Sequence, residues 1–218
     1  MQAPEPMDRA EPDDEVPEVA RSTHRPVAVF LIGLVGSFVW TFAAMSYLRS
    51  ALTGGDLRDV GLFVFYLIAA FLMLSRRPAR CEGAWWEVAL SWGSAIVPML
   101  GFRPAAAGWV GASVVLQGLG LLGLLASIVS LGRSFSIAPA DRGLVTSGAY
   151  RYIRHPMYGA ELLSNAGFLI GNLSGRNALT LGAMLATLVW RISREERIVD
   201  KYAGYAARVR WRLIPGIW

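Results

Sequence analysis

Residues 142–158 read RGLVTSGAYRYIRHPMY, a polar, glycine-bearing stretch lodged between two apolar ones. Its end, Arg154-His155-Pro156-Met157-Tyr158, opens the next apolar segment. Proline has no backbone N–H and suits the first turn of a helix, where that donor has no partner in any case. The residue before it is pushed towards extended backbone. The stretch is therefore expected to reach a membrane surface as a loop, turn at His155 and enter a helix at Pro156. Loop side chains and the free N–H groups of the helix then converge, which suits a polar, anionic ligand.

The membrane itself is read from composition. The 218 residues are 54% hydrophobic and only 17% charged, with a mean hydropathy of +0.42. A soluble domain carries about 25% charge. The apolar residues fall in blocks rather than at helical or strand spacing, as in an integral membrane protein. Cys81 is the single cysteine, which excludes an internal disulfide and a cysteine-rich metal site. The net charge of +5 fits a membrane protein with basic residues on its inner side rather than a nucleic-acid binder. Residues 1–26 are acidic and proline-rich, lack a secretory signal and are expected to be disordered.

Six apolar blocks follow, near residues 27–48, 60–74, 85–100, 106–131, 157–173 and 178–192. The third is interrupted by Glu87 and reaches its end at Pro98. The expected fold is all-α, with about six transmembrane helices and a cytoplasmic C-terminal helix. Several blocks are near or below the roughly 17-residue minimum for a span, so the last two can also form a short hairpin. Residues 27–131 would supply four helices and 132–218 a ligand-binding region. Arg49, Arg58, Arg103 and Arg176 are the only basic residues in the odd-numbered connections, whereas the other 17 of 21 lie in the even ones and the two terminal segments. Both termini and the 142–158 loop are thus expected to be cytoplasmic. Trp40, Trp85, Trp86, Trp92, Trp109 and Trp190 read as interfacial anchors or packing residues.

A second polar cluster closes the sixth block. Arg191 and Glu195 are one turn apart and share a face if that helix continues out of the membrane. In isolation they would be a surface ion pair of little worth. Their helix, however, emerges on the side of the His155 loop. Glu161, one turn inside the fifth block, is costly there unless it is paired or functional.

GLVTSGAY at 143–150, RHPMY at 154–158, Arg191 followed by Glu195 and Glu196, and RLIPG at 212–216 together resemble the isoprenylcysteine carboxyl methyltransferases, within the wider group of phospholipid methyltransferases. The resemblance covers about residues 130–218. It implies S-adenosylmethionine as methyl donor. It also implies contacts to that donor from Arg142, Gly143, Leu144, Val145, Tyr150, His155, Pro156, Met157, Tyr158 and Glu195, with Arg191 on the substrate side as the catalytic residue. Eukaryotic members carry His where this chain has Arg142. Glu195 suits the donor's ammonium, and the helix start at Pro156 suits its carboxylate. Tyr150 and Tyr158 can pack on the adenine or line the transfer channel. His155 reads as a binding residue rather than a general base, because a carboxylate acceptor is already ionised near neutral pH.

The expected partners are the bilayer and a lipophilic or small acceptor bearing a carboxylate, thiol or amine, with no nucleic acid and no metal. Two other readings stay open: an NADPH-dependent membrane reductase of the sterol-reductase type, and a non-catalytic membrane accessory protein. The topology is checked by thiol labelling of Arg151→Cys. The introduced thiol is expected to be shielded from an impermeant reagent in intact cells and to react after lysis; the reverse pattern would invert the orientation.

Overall fold

The computed structural model describes residues 26–218, so the acidic stretch before Pro26 lies outside the described residues. The chain is mostly helical. Each apolar block forms one helix: α1 Pro26–Leu52, α2 Leu57–Ser75, α3 Trp85–Gly101, α4 Val110–Leu131, α5 Pro156–Gly171 and α6 Gly175–Ile198. A short α7, Tyr202–Arg208, follows. The helices within Phe30–Leu52, Leu57–Ser75 and Val110–Ser134 are long and apolar enough to cross a membrane. α3 and α5, with 17 and 16 residues, are shorter. One feature departs from an all-α reading: β1 (Cys81–Glu82) and β2 (Ala140–Asp141) pair antiparallel, with Cys81 opposite Asp141.

The helix boundaries have local causes. The Asp56 carboxylate caps α2 by accepting from the N–H groups of Arg58 and Asp59, at 3.0 and 3.2 Å. Ser174 caps α6 in the same way through Asn177. α5 starts at Pro156, with His155 as its N-cap. Glu87 sits in the first turn of α3 and is fully buried. Its Oε2 accepts from Ala84 N–H at 2.8 Å, and its other oxygen meets Arg194 of α6. The residue that seemed to interrupt the third block is thus a start signal for its helix and a tie to another. Pro98 does not end α3, which continues to Gly101.

Connections gather at two ends of the bundle. At one end Asn177, fully buried, joins the α3–α4 and α5–α6 connections: its Oδ1 accepts from Arg103 N–H, and its Nδ2 donates to the carbonyls of Arg103 and Asn172. At the other end Arg77 N–H donates to Arg133 O, and Arg80 N–H to Asp141 O. The aromatic residues divide as well. Trp40 stacks on Tyr66 and Trp92 in the interior, whereas Trp85 and Trp109 are largely exposed.

α4 and α5 pack through small residues, so their backbones approach closely, as membrane helices do where side chains leave room. A Cβ at Gly120 would lie 2.7 Å from the backbone nitrogen of Ser164 and 2.8 Å from its Cα. Gly123 meets Ala160 in the same seam. Gly118, on the same helix, faces open space. Gly120→Ala is therefore expected to lower stability by about 1–3 kcal/mol through overpacking. Gly118→Ala should raise it by about 0.5–1 kcal/mol by removing glycine's entropy cost. Thermal unfolding in detergent reads both signs.

Candidate functional site

The His155 turn is built by the chain's own tail. Arg154 and His155 donate their N–H groups to the carbonyls of Trp211 and Arg212, at 2.8 and 2.9 Å. The Arg154 guanidinium reaches the carbonyl of Val209 at 2.7 Å and those of Ala206 and Arg210 at 3.2 Å. Residues 206–212 therefore wrap the start of α5.

Glu196 locks this arrangement. Arg212 grips it with two parallel bonds, Nε to Oε1 at 3.0 Å and Nη2 to Oε2 at 2.8 Å. Arg154 lies 3.5 Å from the same carboxylate, Tyr202 O–H donates to it at 3.0 Å, and His155 Nε2 is 3.4 Å away. Burial alone would raise the Glu196 pKa, but the bonds from His155, Arg212 and Tyr202, with the charge of Arg212, hold it down at about 2. Burial, then the charge of Glu196, pushes the Tyr202 phenol up.

Glu195, the next residue, is left largely free. Tyr158 O–H donates to its Oε1, and its Oε2 stands 3.8 Å from His155 Nδ1. Among the described residues nothing else donates to it. His155 stacks on Tyr158 with ring centroids 5.7 Å apart.

These groups surround a cavity of about 750 Å³, counting its open mouth. Arg142, Gly143, Leu144, Val145, Tyr150, His155, Met157, Tyr158 and Glu195 all line it. Pro156 does not; it acts through the helix start. Burial pushes the Tyr150 phenol up, with the charge of Glu195 adding to the effect. Arg142 is held from behind: it donates to Arg77 O and, at 3.0 Å, to Glu82. Burial, with Arg76 nearby, lowers its pKa to about 10 despite Glu82, so it remains charged at neutral pH. Gly143 takes a left-handed φ of +96°, which lets the chain turn beside Arg142.

Arg191 lies elsewhere. It forms no ion pair with Glu195. Its guanidinium sits over the Tyr158 ring, 4.7 Å from the centroid, and one Nη donates to Ile137 O. It faces a second cavity of about 1470 Å³, counting its open mouth, lined by α1, α2, α3, α4, α5 and loop residues 135–137. Ser136, Met157 and Tyr158 line both cavities and so form the wall between them. Glu161 also lines the second cavity.

Sequence reasoning passed over Tyr202, Tyr205, Val199 and Ser136, which complete the first cavity. Tyr202 and Tyr205 follow one another at helical spacing in a basic tail that read only as a surface helix. Glu196 stood inside a motif without a role, and Arg154 only as one candidate partner for Glu161; the fold instead gives Arg154 to the tail's carbonyls and to Glu196. The resemblance singled out Glu195 and left Glu196 unassigned; the fold shows what separates them by bringing Arg212 to Glu196.

A helical membrane protein with two adjoining cavities behind a polar loop is the class these features define. Residues 106–205 match the family model for phospholipid methyltransferase, a family of integral membrane methyltransferases that includes the isoprenylcysteine carboxyl methyltransferases. No curated protein and no solved structure matches the chain.

Because the folded pKa of Glu196 lies below its ordinary 4.5, its contribution to stability is complete above that value and is lost as pH falls from about 4.5 towards about 2. Glu196→Gln is expected to remove this acid-sensitive component and to lower stability at neutral pH by about 1–3 kcal/mol. Unfolding midpoints from pH 7 downwards check both, and a variant with the wild-type acid profile would contradict the clamp.

Proposed function

We propose that the protein is an S-adenosylmethionine-dependent methyltransferase in which the first cavity takes the methyl donor and the second the acceptor. The observation that carries this is their shared wall. One cavity gathers nine of the motif residues, the other lies among the apolar helices, and Tyr158 is common to both.

The first cavity's donor and acceptor groups suit the molecule. The free oxygen of Glu195 would take the ammonium. The backbone of residues 143–145 and the phenol-bearing face at Tyr150 would hold the adenosine. The unbonded N–H groups at the start of α5 would take the carboxylate. When bound, S-adenosylmethionine supplies an electrophilic methyl group on a sulfonium. The protein's part is to orient it towards the wall, exclude water and bring up the acceptor. Arg191, whose Nε is buried without a partner, would hold an anionic acceptor such as a carboxylate at that wall. His155, engaged with Tyr202 and Glu196, positions rather than moves protons.

In this reading all of α1–α6 cross the bilayer, with both termini and the donor cavity cytoplasmic. The two sets of mutually bonded connections at opposite ends of the bundle support it. The acceptor enters sideways from lipid and the donor from water. The membrane bilayer and a lipophilic or small acceptor are the partners.

Calorimetric titration in detergent tests the assignment. Glu195→Gln and His155→Ala are each expected to weaken S-adenosylmethionine binding at least tenfold, about 1.4 kcal/mol, whereas Arg191→Ala should chiefly impair acceptor use. Unchanged donor affinity in both of the first two variants, or binding of NADPH in place of the donor, would overturn it.

A further inference from the structure

The tail that clasps the His155 turn also has an outer side. Leu213 is buried in a cluster with Tyr158, Leu188 and Ile192. A Cβ on Gly159 would lie 3.0 Å from the Leu213 carbonyl oxygen. Residue 213 therefore sits one turn inside α5, about 5 Å past its start at Pro156. The chain leaves the bundle along α6 and returns to the level at which α5 begins. There the backbone oxygen of Trp218 accepts from the N–H groups of Arg212, Leu213 and Ile214, at 3.0, 3.0 and 3.1 Å. These bonds close residues 212–218 into a tight loop, which leaves Ile214, Ile217 and Trp218 facing outwards; Ile217 is 78% exposed.

The charges beside this loop have one sign. Residues 201–218 contain Lys201, Arg208, Arg210 and Arg212 and no acid. Arg212 is taken by Glu196, whereas Arg208 and Arg210 are exposed and have no ion-pair partner among the described residues. The parallel bridge between Ile153 and Trp211 brings the exposed Arg151–Tyr152 segment alongside Arg210. One exposed isoleucine needs no explanation. Three apolar side chains held outwards by a closed loop, at the entry level of a helix and beside uncompensated arginines, form an interfacial anchor.

We infer that residues 208–218 dock on the bilayer that surrounds the protein. Ile214, Ile217 and Trp218 enter the headgroup layer, and Arg208 and Arg210 meet the phosphates of anionic phospholipids. Charge complementarity selects this occupant, because a zwitterionic surface gives the arginines much less. The docking regulates the donor cavity, and this step rests on the proposed donor site. Tyr202 and Tyr205 of the same tail line that cavity, and Arg212 secures it through Glu196. Lipid and donor both favour the ordered tail, so each strengthens the binding of the other.

The test uses the full-length protein in nanodiscs of phosphatidylcholine, alone or mixed with phosphatidylglycerol. Bimane on Ile217→Cys, in a Cys81→Ser background, is expected to be quenched by nitroxides near the lipid headgroups. S-adenosylmethionine affinity should rise about fivefold or more in the anionic discs, at the low end for coupled sites. Arg208→Gln with Arg210→Gln should abolish that rise and keep the wild-type affinity in phosphatidylcholine. Inorganic phosphate added to phosphatidylcholine discs should not reproduce it. Bimane quenched by no lipid nitroxide, or only by a nitroxide on a second copy in the same disc, would overturn the docking. Quenching by lipid with equal donor affinity in both discs would overturn the regulation. Absent donor binding in every disc sinks the proposed function, while the bimane still reports on the docking.

Discussion

The site depends on one carboxylate. Glu196 is the point where three remote stretches meet: the end of α6, the turn before α5 and the C-terminal tail. Each brings charge or an O–H group that would otherwise lack a partner near the bundle's edge. A bidentate arginine bond fixes direction as well as distance. With Arg212 and Arg154 gathered there, the tail's carbonyls are aligned to receive the N–H groups of Arg154 and His155. Glu195 can then stay under-bonded, because the structural work is done by its neighbour. A glutamate that both clamped the tail and received a ligand would have to exchange partners on every binding event.

The opposite wall of the same cavity is held by a different device. The α2–α3 connection pairs with residues 140–141, and Arg142 reaches back to Glu82 and Arg77 O. The N-terminal helices carry no recognisable motif, yet they brace the loop that does. Breaking this ion pair would leave a buried charge uncompensated, so the loop has little freedom to drift. The first cavity thus has one wall fixed by the tail and another by the second connection.

Much of this was legible in the chain, for identifiable reasons. Pro156 marked the start of α5 because proline's missing donor is tolerated only there. The apolar blocks marked the helices because burial in lipid requires continuous runs. The loop residues 142–145, Tyr150 and 154–158 converge because a short polar connection has nowhere else to go. What stayed hidden depends on tertiary contact. Glu87 read as an interruption because its partner, Arg194, lies over a hundred residues away. Arg191 and Glu195 read as a pair from their spacing, but Tyr158 intervenes and turns them to different cavities. Local spacing gives the face of a helix; it does not tell what occupies the space opposite.

Tyr158 explains how the two chambers can adjoin and stay distinct. Its ring carries the Arg191 guanidinium on one side and stacks on His155, while its hydroxyl is tied to Glu195. A flat, fixed aromatic side chain can separate two chambers that each carry charged groups while remaining thin enough for groups on either side to approach. Aliphatic residues would seal the wall without orienting either charge; a polar residue would admit water. The tyrosine does both tasks because its face is apolar and its edge is not. In the proposed reaction, a water-soluble donor and a lipid-borne acceptor would need this kind of partition, since the reacting atoms would have to meet in a dry place that each reaches from a different solvent.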